Sequence, residues 1–139
     1  LANVALENHI RTFGLDRVTD LLVLNKKFPT KSFDVNAYYK DCFGIIRPED
    51  EEAQDVVLSF TKLQGRYVKN YPLHHSQKVI SETEHETVIS VHVFCTFDFV
   101  QELLSHRELL KIISPLSLLE EIQEVNKKIA ENHPKNGPI

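Results

Sequence analysis

Residues 55–114, DVVLSFTKLQGRYVKNYPLHHSQKVISETEHETVISVHVFCTFDFVQELLSHRELLKIIS, decide the fold. Val56, Leu58 and Phe60 alternate with Val57, Ser59 and Thr61, the period-two pattern of a strand with one buried face. Residues 62–71 then suit a short helix that Pro72 ends, because a proline ring disfavours helical geometry in the residue before it. Ser76 to Ser81 reads as a second strand, the polar TEHE at 83–86 as a turn, and Val88 to Thr96 as a third strand, so these two strands form a hairpin. Ile89, Val91, Val93 and Cys95 fall on one face of the third strand. Thr96 is placed to cap a helix from Phe97 to His106, in which Phe99, Val100, Leu103 and Leu104 make an apolar stripe. Leu109 to Ile113 supplies a fourth strand.

Beyond this stretch, Ser114-Pro115 gives the N-cap and first-turn proline of a last helix, reinforced by the Ser117/Glu120 spacing. Leu118, Ile122, Val125 and Ile129 share one face of that helix. The order strand, helix, strand, strand, helix, strand, plus a C-terminal helix, is the split βαβ arrangement. It predicts an α+β domain, a ferredoxin-like βαββαβ sheet with helices on one face, over residues 55–132. Residues 133–139 read as a disordered tail.

Upstream, HIRTFGLDRVTDLLVL at 9–24 contains two short apolar or alternating runs split by Asp16-Arg17, which predicts two strands joined by a bend. Two strands alone are marginal in water, so they need completion by other residues, by a partner or by packing on the rest. Residues 30–54 read as an ordered linker, and the aromatics of segment 25–48, Phe28, Phe33, Tyr38, Tyr39 and Phe43, as docking on a neighbouring domain. Within it, Asp34 to Asp41 suits a short helix capped by Asp34, with Gly44 placed to end it.

Composition sets the class. The chain has 139 residues, 42% hydrophobic and 26% charged, which fits one domain of ordinary size with a core, or a small domain with an appendage. No apolar run approaches a membrane span, so a cytoplasmic location without a membrane is expected. Cys42 and Cys95 lie too far apart for a disulfide framework or a CxxC zinc site and read as reduced buried thiols. There is no methionine and the first residue is Leu1, so the chain reads as a piece of something longer, with part of its function outside it.

The net charge of −4 argues against a surface that grips nucleic acid everywhere. Locally, Val56 to Ser81 contains Lys62, Arg66, Lys69 and Lys78 and no acid, either a basic patch or a helix with solvated lysines. His74-His75, with His85 and His92 nearby, offers imidazoles for a metal. On an extended segment two adjacent side chains point to opposite faces, which favours one structural and one exposed histidine instead. No GxSxG, HExxH or phosphate-cradling glycine loop is present, so no enzyme activity, cofactor or metal is expected. Phe60 and Phe94 lack the glycine-bracketed aromatic motif of an RNA-binding sheet. Arg11 and Arg17 would share a strand face with Phe13 and Leu15. Either they form a bidentate anion site, or Arg17 pairs with Asp16 or Asp20 and pins the turn.

HIRTFGLDRVTDLLVLNKKF, 9–28, resembles the closing strands of the WYL domain, with Arg11, Phe13, Leu15, Asp16, Arg17 and Val18 on its Arg-x-aromatic-x-Leu-Asp-Arg signature. Leu1 to Val4 resembles the strand that follows the name-giving Trp-Tyr-Leu run, which would lie just before it. FDVNAYYKDCFGI (33–45), YPLHHSQKVI (71–80) and FCTFDFVQELLSH (94–106) resemble the WYL C-terminal extension of bacterial regulators.

The resemblance implies that residues 1–29 are the last strands of an Sm/SH3-like barrel. It also implies a parent transcriptional regulator that binds DNA through an absent helix-turn-helix and senses a nucleotide or nucleic-acid effector. Arg11 and Arg17 would then be the local part of the effector pocket, with Asp16 orienting Arg17. Lys62, Arg66, Lys69, His74 and His75 are candidates for a second contact surface, for effector, domain or homodimer partner. The alternative is a stand-alone dimerisation or protein-interaction module of ferredoxin-like fold without ligand.

Overall fold

The computed structural model of the chain describes residues 2–4, 9–11, 13–27 and 32–133, with the backbone alone at 2–4 and 9–11. The chain divides into two compact units, Leu1–Phe33 and Asp34–Ile139. The tail expected at 133–139 lies outside the described residues except for His133.

In the first unit β1 (Ala2–Val4) pairs antiparallel with β2 (His9–Arg11), Asn3 facing Ile10. The second strand expected within 9–24 does not form. Leu15–Arg17 is a turn of 3-10 helix, closed by the Arg17 and Val18 amides donating to the carbonyls of Gly14 and Leu15. Asp20 then takes a left-handed backbone with φ 52°, which an extended strand cannot contain. Leu21, Leu22, Val23 and Leu24 are left exposed.

The second unit begins with α1 (Val35–Tyr39), capped by Asp34, whose carboxylate accepts from the Asn36 and Ala37 amides at 3.0 and 3.1 Å. Gly44 does not end this helix. It lies against the Asp98 carboxylate, in a space that a Cβ would occupy. The elements then follow as β3 (Gln54–Thr61), α2 (Lys62–Asn70), β4 (Lys78–Glu82), β5 (Glu86–Val93), α3 (Phe97–Ser105), β6 (Leu110–Ser114) and α4 (Leu116–Asn132). The four strands form one sheet in the order β4-β5-β3-β6, every neighbouring pair antiparallel. The architecture is therefore α+β.

Alternation sorts the sheet into two faces. Val56, Leu58 and Phe60 stand opposite Val91, Ile89 and Thr87 and are fully buried. Val68 of α2, Phe99, Val100 and Leu103 of α3, and Leu118 of α4 close over them. Each such side chain removed from water contributes about 1.5–3 kcal/mol. Gly65 belongs to this contact, because a Cβ there would overlap Thr87 of β5. The helix accepts glycine, at about 1 kcal/mol against alanine, in order to approach the sheet.

Several boundaries differ from the sequence reading, among them that β5 begins at Glu86, inside the segment read as a turn, and β6 runs one residue later than expected. β4 starts at Lys78 because Gln77 is engaged in the turn, accepting from the Leu73 amide and donating to the Val68 carbonyl, both at 2.9 Å. β5 ends at Val93 because the Phe94 amide leaves the ladder to donate to Asp41. Cys95 is thus beyond the strand and only half-buried. Ser114 is still in β6, opposite Val57, so Pro115 and not Ser114 holds the N-cap position of α4. Thr96 precedes α3 with extended backbone, yet its hydroxyl donates to the Asp98 carboxylate and caps no amide.

Candidate functional site

The two arginines of the first unit are separated by the break in their strand. Arg11 is the last residue of β2, opposite Ala2, and its side chain lies outside the described residues. Arg17 ends the 3-10 turn with its Nε 4.0 Å from Asp16 Oδ2, and the two side chains are 88% and 81% exposed. The expected alignment of Arg11, Phe13, Leu15 and Arg17 along one strand face therefore fails at Gly14. What remains is a guanidinium held beside a carboxylate in full solvent, an interaction worth little on its own. Such a group keeps its planar fork of donors available to an anion.

In the second unit, α2 carries Lys62, Arg66 and Lys69 at i, i+4 and i+7, a spacing that keeps them on one side of the helix. They gather around Glu82 of β4. Lys69 Nζ donates to Glu82 Oε2 at 2.6 Å, and that hydrogen bond, aided by the charges of Lys69, Arg66 and Lys62, holds the Glu82 carboxyl below its ordinary pKa. Leu63, Tyr67 and Tyr71 are exposed on the same segment. Lys78 does not join them: it pairs with Ser90, which alternates with buried Ile89 and Val91, so it faces away from the helices.

His74 and His75 also part company with α2. The segment that carries them is a turn and not an extended strand, so the rings do not diverge but lie against each other, centroids 4.0 Å apart and planes tilted by 39°. His74 is buried, and its Nδ1 accepts from the Ser76 amide at 3.3 Å and sits 2.7 Å from Ser76 Oγ. Ser76 Oγ in turn donates to the His92 carbonyl and accepts from the His92 amide. The backbone of Lys40 and of Cys42 also hydrogen-bonds His74. His74 is thus a rivet between residues 40–42 and the β4–β5 hairpin, and it is removed from any contact surface. Burial first, and the neighbouring His75 second, lower its pKa below the ordinary value. Among the described residues no group of three or more His, Cys, Asp or Glu side chains is arranged to hold a metal ion.

Sequence reading missed Arg47, which completes this joint. Its guanidinium lies over the Tyr38 ring at 4.7 Å and the Phe94 ring at 5.3 Å and donates to the Tyr38 carbonyl at 3.1 Å. Phe43 packs on Phe99, ring centroids 5.4 Å apart. Segment 34–54 is therefore built into the second unit. A further feature absent from the sequence reading is an apolar groove of about 720 Å³ between α3, β6 and α4, with Leu104, Ile112 and Ile122 in its walls and Arg107 and Lys111 contributing cations. No helix among the described residues is long and apolar enough to cross a membrane.

No protein-family model matches the chain, and no curated protein matches it.

Proposed function

We propose that the chain is the C-terminal regulatory part of a bacterial DNA-binding transcriptional regulator of the WYL family, acting in effector sensing and association and carrying no catalytic activity. The observation that carries this reading is the strand order of the second unit. A sheet ordered β4-β5-β3-β6 and built as strand, helix, strand, strand, helix, strand is what a ferredoxin-like extension requires. The first unit supports it from the other side. Leu21 to Leu24 are uncovered apolar side chains, as the closing segment of a larger barrel would leave them.

On this reading Arg11 and Arg17 engage phosphate oxygens of a nucleotide or single-stranded nucleic-acid effector, and Asp16 orients Arg17. Lys62, Arg66 and Lys69 form a second anion-facing surface; His74 is excluded from it by burial, and His75 lies against His74, apart from α2. The experiment is a titration of a longer chain carrying the whole barrel with single-stranded oligonucleotides and cyclic dinucleotides. Arg11→Ala and Arg17→Ala are each expected to weaken binding tenfold or more, about 1.4 kcal/mol. Unchanged affinity in both variants would remove these arginines from the effector site. A stand-alone association module is the second reading, favoured by the groove beside α4.

A further inference from the structure

The groove between α3, β6 and α4 has the dimensions of a ligand site. Its volume of about 720 Å³ falls within the roughly 300–1,000 Å³ of small-molecule sites. Its apolar lining is continuous with the core: Leu103 is buried, and Leu104, Leu110, Ile112 and Ile122 are only partly buried and pack against the core. Along α4 the wall runs on from Ile122 to Ile129, which is 49% exposed. An occupant of this groove therefore has to cover apolar surface along most of its length.

The polar lining is sparse and its charge is uneven. It comes from Arg107 and Glu108 in the turn after α3, from Lys111, and from Asn126, whereas the α4 acids Glu120, Glu121 and Glu124 do not line the groove. Glu108 Oε2 lies 3.4 Å from Arg107 Nε, in a pair whose side chains are 77% and 71% exposed, so it holds the guanidinium weakly. Lys111 has no ionic partner among the described residues. Two cations against one carboxylate leave this part of the groove cationic.

Arg107 is also held in an unfavourable backbone. Its φ of 55° is left-handed, where glycine or asparagine costs less than a long side chain. Such conformations persist where the surrounding structure imposes them, and ligand clamps are among the places where they gather. A plain hydrocarbon would cover the walls and leave the cations unanswered. A nucleotide would answer the cations and leave the leucine and isoleucine walls in water. An alkyl chain with a carboxylate head satisfies both.

We infer that the groove binds a monomeric long-chain monocarboxylate, a free fatty acid, with its alkyl chain along the apolar walls and its head on Arg107 and Lys111. The planar fork of arginine suits the head, because it engages both carboxylate oxygens. The site uses none of the residues assigned above to a nucleotide effector, so it stands whether or not an oligonucleotide titration succeeds.

Isothermal titration calorimetry of the 139-residue chain with decanoate and dodecanoate, each below its micellar concentration at neutral pH, tests it. Saturable one-to-one binding is expected, and the two added methylenes of dodecanoate should tighten it about tenfold. Arg107→Gly suits the left-handed backbone and removes only the guanidinium; it should weaken dodecanoate about threefold to fivefold. Ile129→Glu, at an exposed position, should weaken it about tenfold by putting a charge against the alkyl chain. Decyltrimethylammonium, with the chain of decanoate and the opposite charge, should not saturate the chain. Heat seen only above the micellar concentration, or equal affinity for the carboxylate and the ammonium, overturns the inference. Wild-type affinity in both variants overturns it too, since binding then lies elsewhere. Absence of saturable binding does the same, and a dimer in sedimentation velocity that Ile129→Glu dissociates would then assign the groove to a second copy.

Discussion

His74 shows how a residue that looks like chemistry serves structure. Burial first, and the adjacent His75 second, oppose protonation of its ring, and they outweigh the backbone hydrogen bonds at Lys40 and Cys42, which favour it. Because its pKa in the fold lies below the unfolded value of about 6.5, the unfolded chain binds the extra proton first. The stability it contributes is therefore complete above that value and is lost as pH falls towards the lowered folded pKa. Urea midpoints measured from pH 7.5 to 5 should fall with pH in the wild type, and His74→Gln should flatten that decline. Cys95 makes a second case at this scale. Burial, followed by the charges of Glu121 and Glu51, pushes its thiol up to about 11, so almost no thiolate exists at neutral pH. Burial likewise raises the Cys42 thiol. Alkylation of the folded chain at pH 7.5 should be slow at both positions and become fast in denaturant; rapid labelling of Cys95 in the folded state would contradict its placement. Neither the burial of His74 nor the Arg47 joint was legible beforehand, because both depend on partners distant in sequence.

At the scale of elements, what was legible is what has a period. Val56, Leu58 and Phe60 in β3, and Ile89, Val91 and Val93 in β5, announce themselves because burial on one side of a sheet leaves a strict alternation. The stripe of Phe99, Val100 and Leu103 does the same for α3. What was not legible is where side chains compete with the backbone: Gln77 delays β4, and the Phe94 amide ends β5 early. The strand expected after Arg11 failed for another reason, since pairing needs a neighbour and residues 13–27 have a left-handed Asp20 in their path. Two substitutions test the packing. Leu58→Ala opens a cavity at the centre of the sheet and should cost about 2–5 kcal/mol by chemical denaturation. Gly65→Ala improves helix propensity by about 1 kcal/mol, yet it drives a methyl into Thr87, and overpacking of about 1–3 kcal/mol should prevail. A stabilised Gly65→Ala chain would mean that α2 does not approach the sheet as closely as described.

At the scale of the molecule, the two units differ in how far they complete themselves. The second closes a core from three helices and four strands. Among its described residues the first shows one pair of three-residue strands and a run of exposed leucines and valine, short of the three or more strands that independent stability needs. This contrast is what the proposed parent explains, since strands of a barrel are completed by other strands of the same barrel. The most direct measurement is the coding sequence immediately upstream of Leu1. The account predicts an open frame that encodes a Trp-Tyr-Leu run just before this chain and a helix-turn-helix pattern further back. An initiation codon directly before Leu1, or an upstream frame with neither feature, would contradict it.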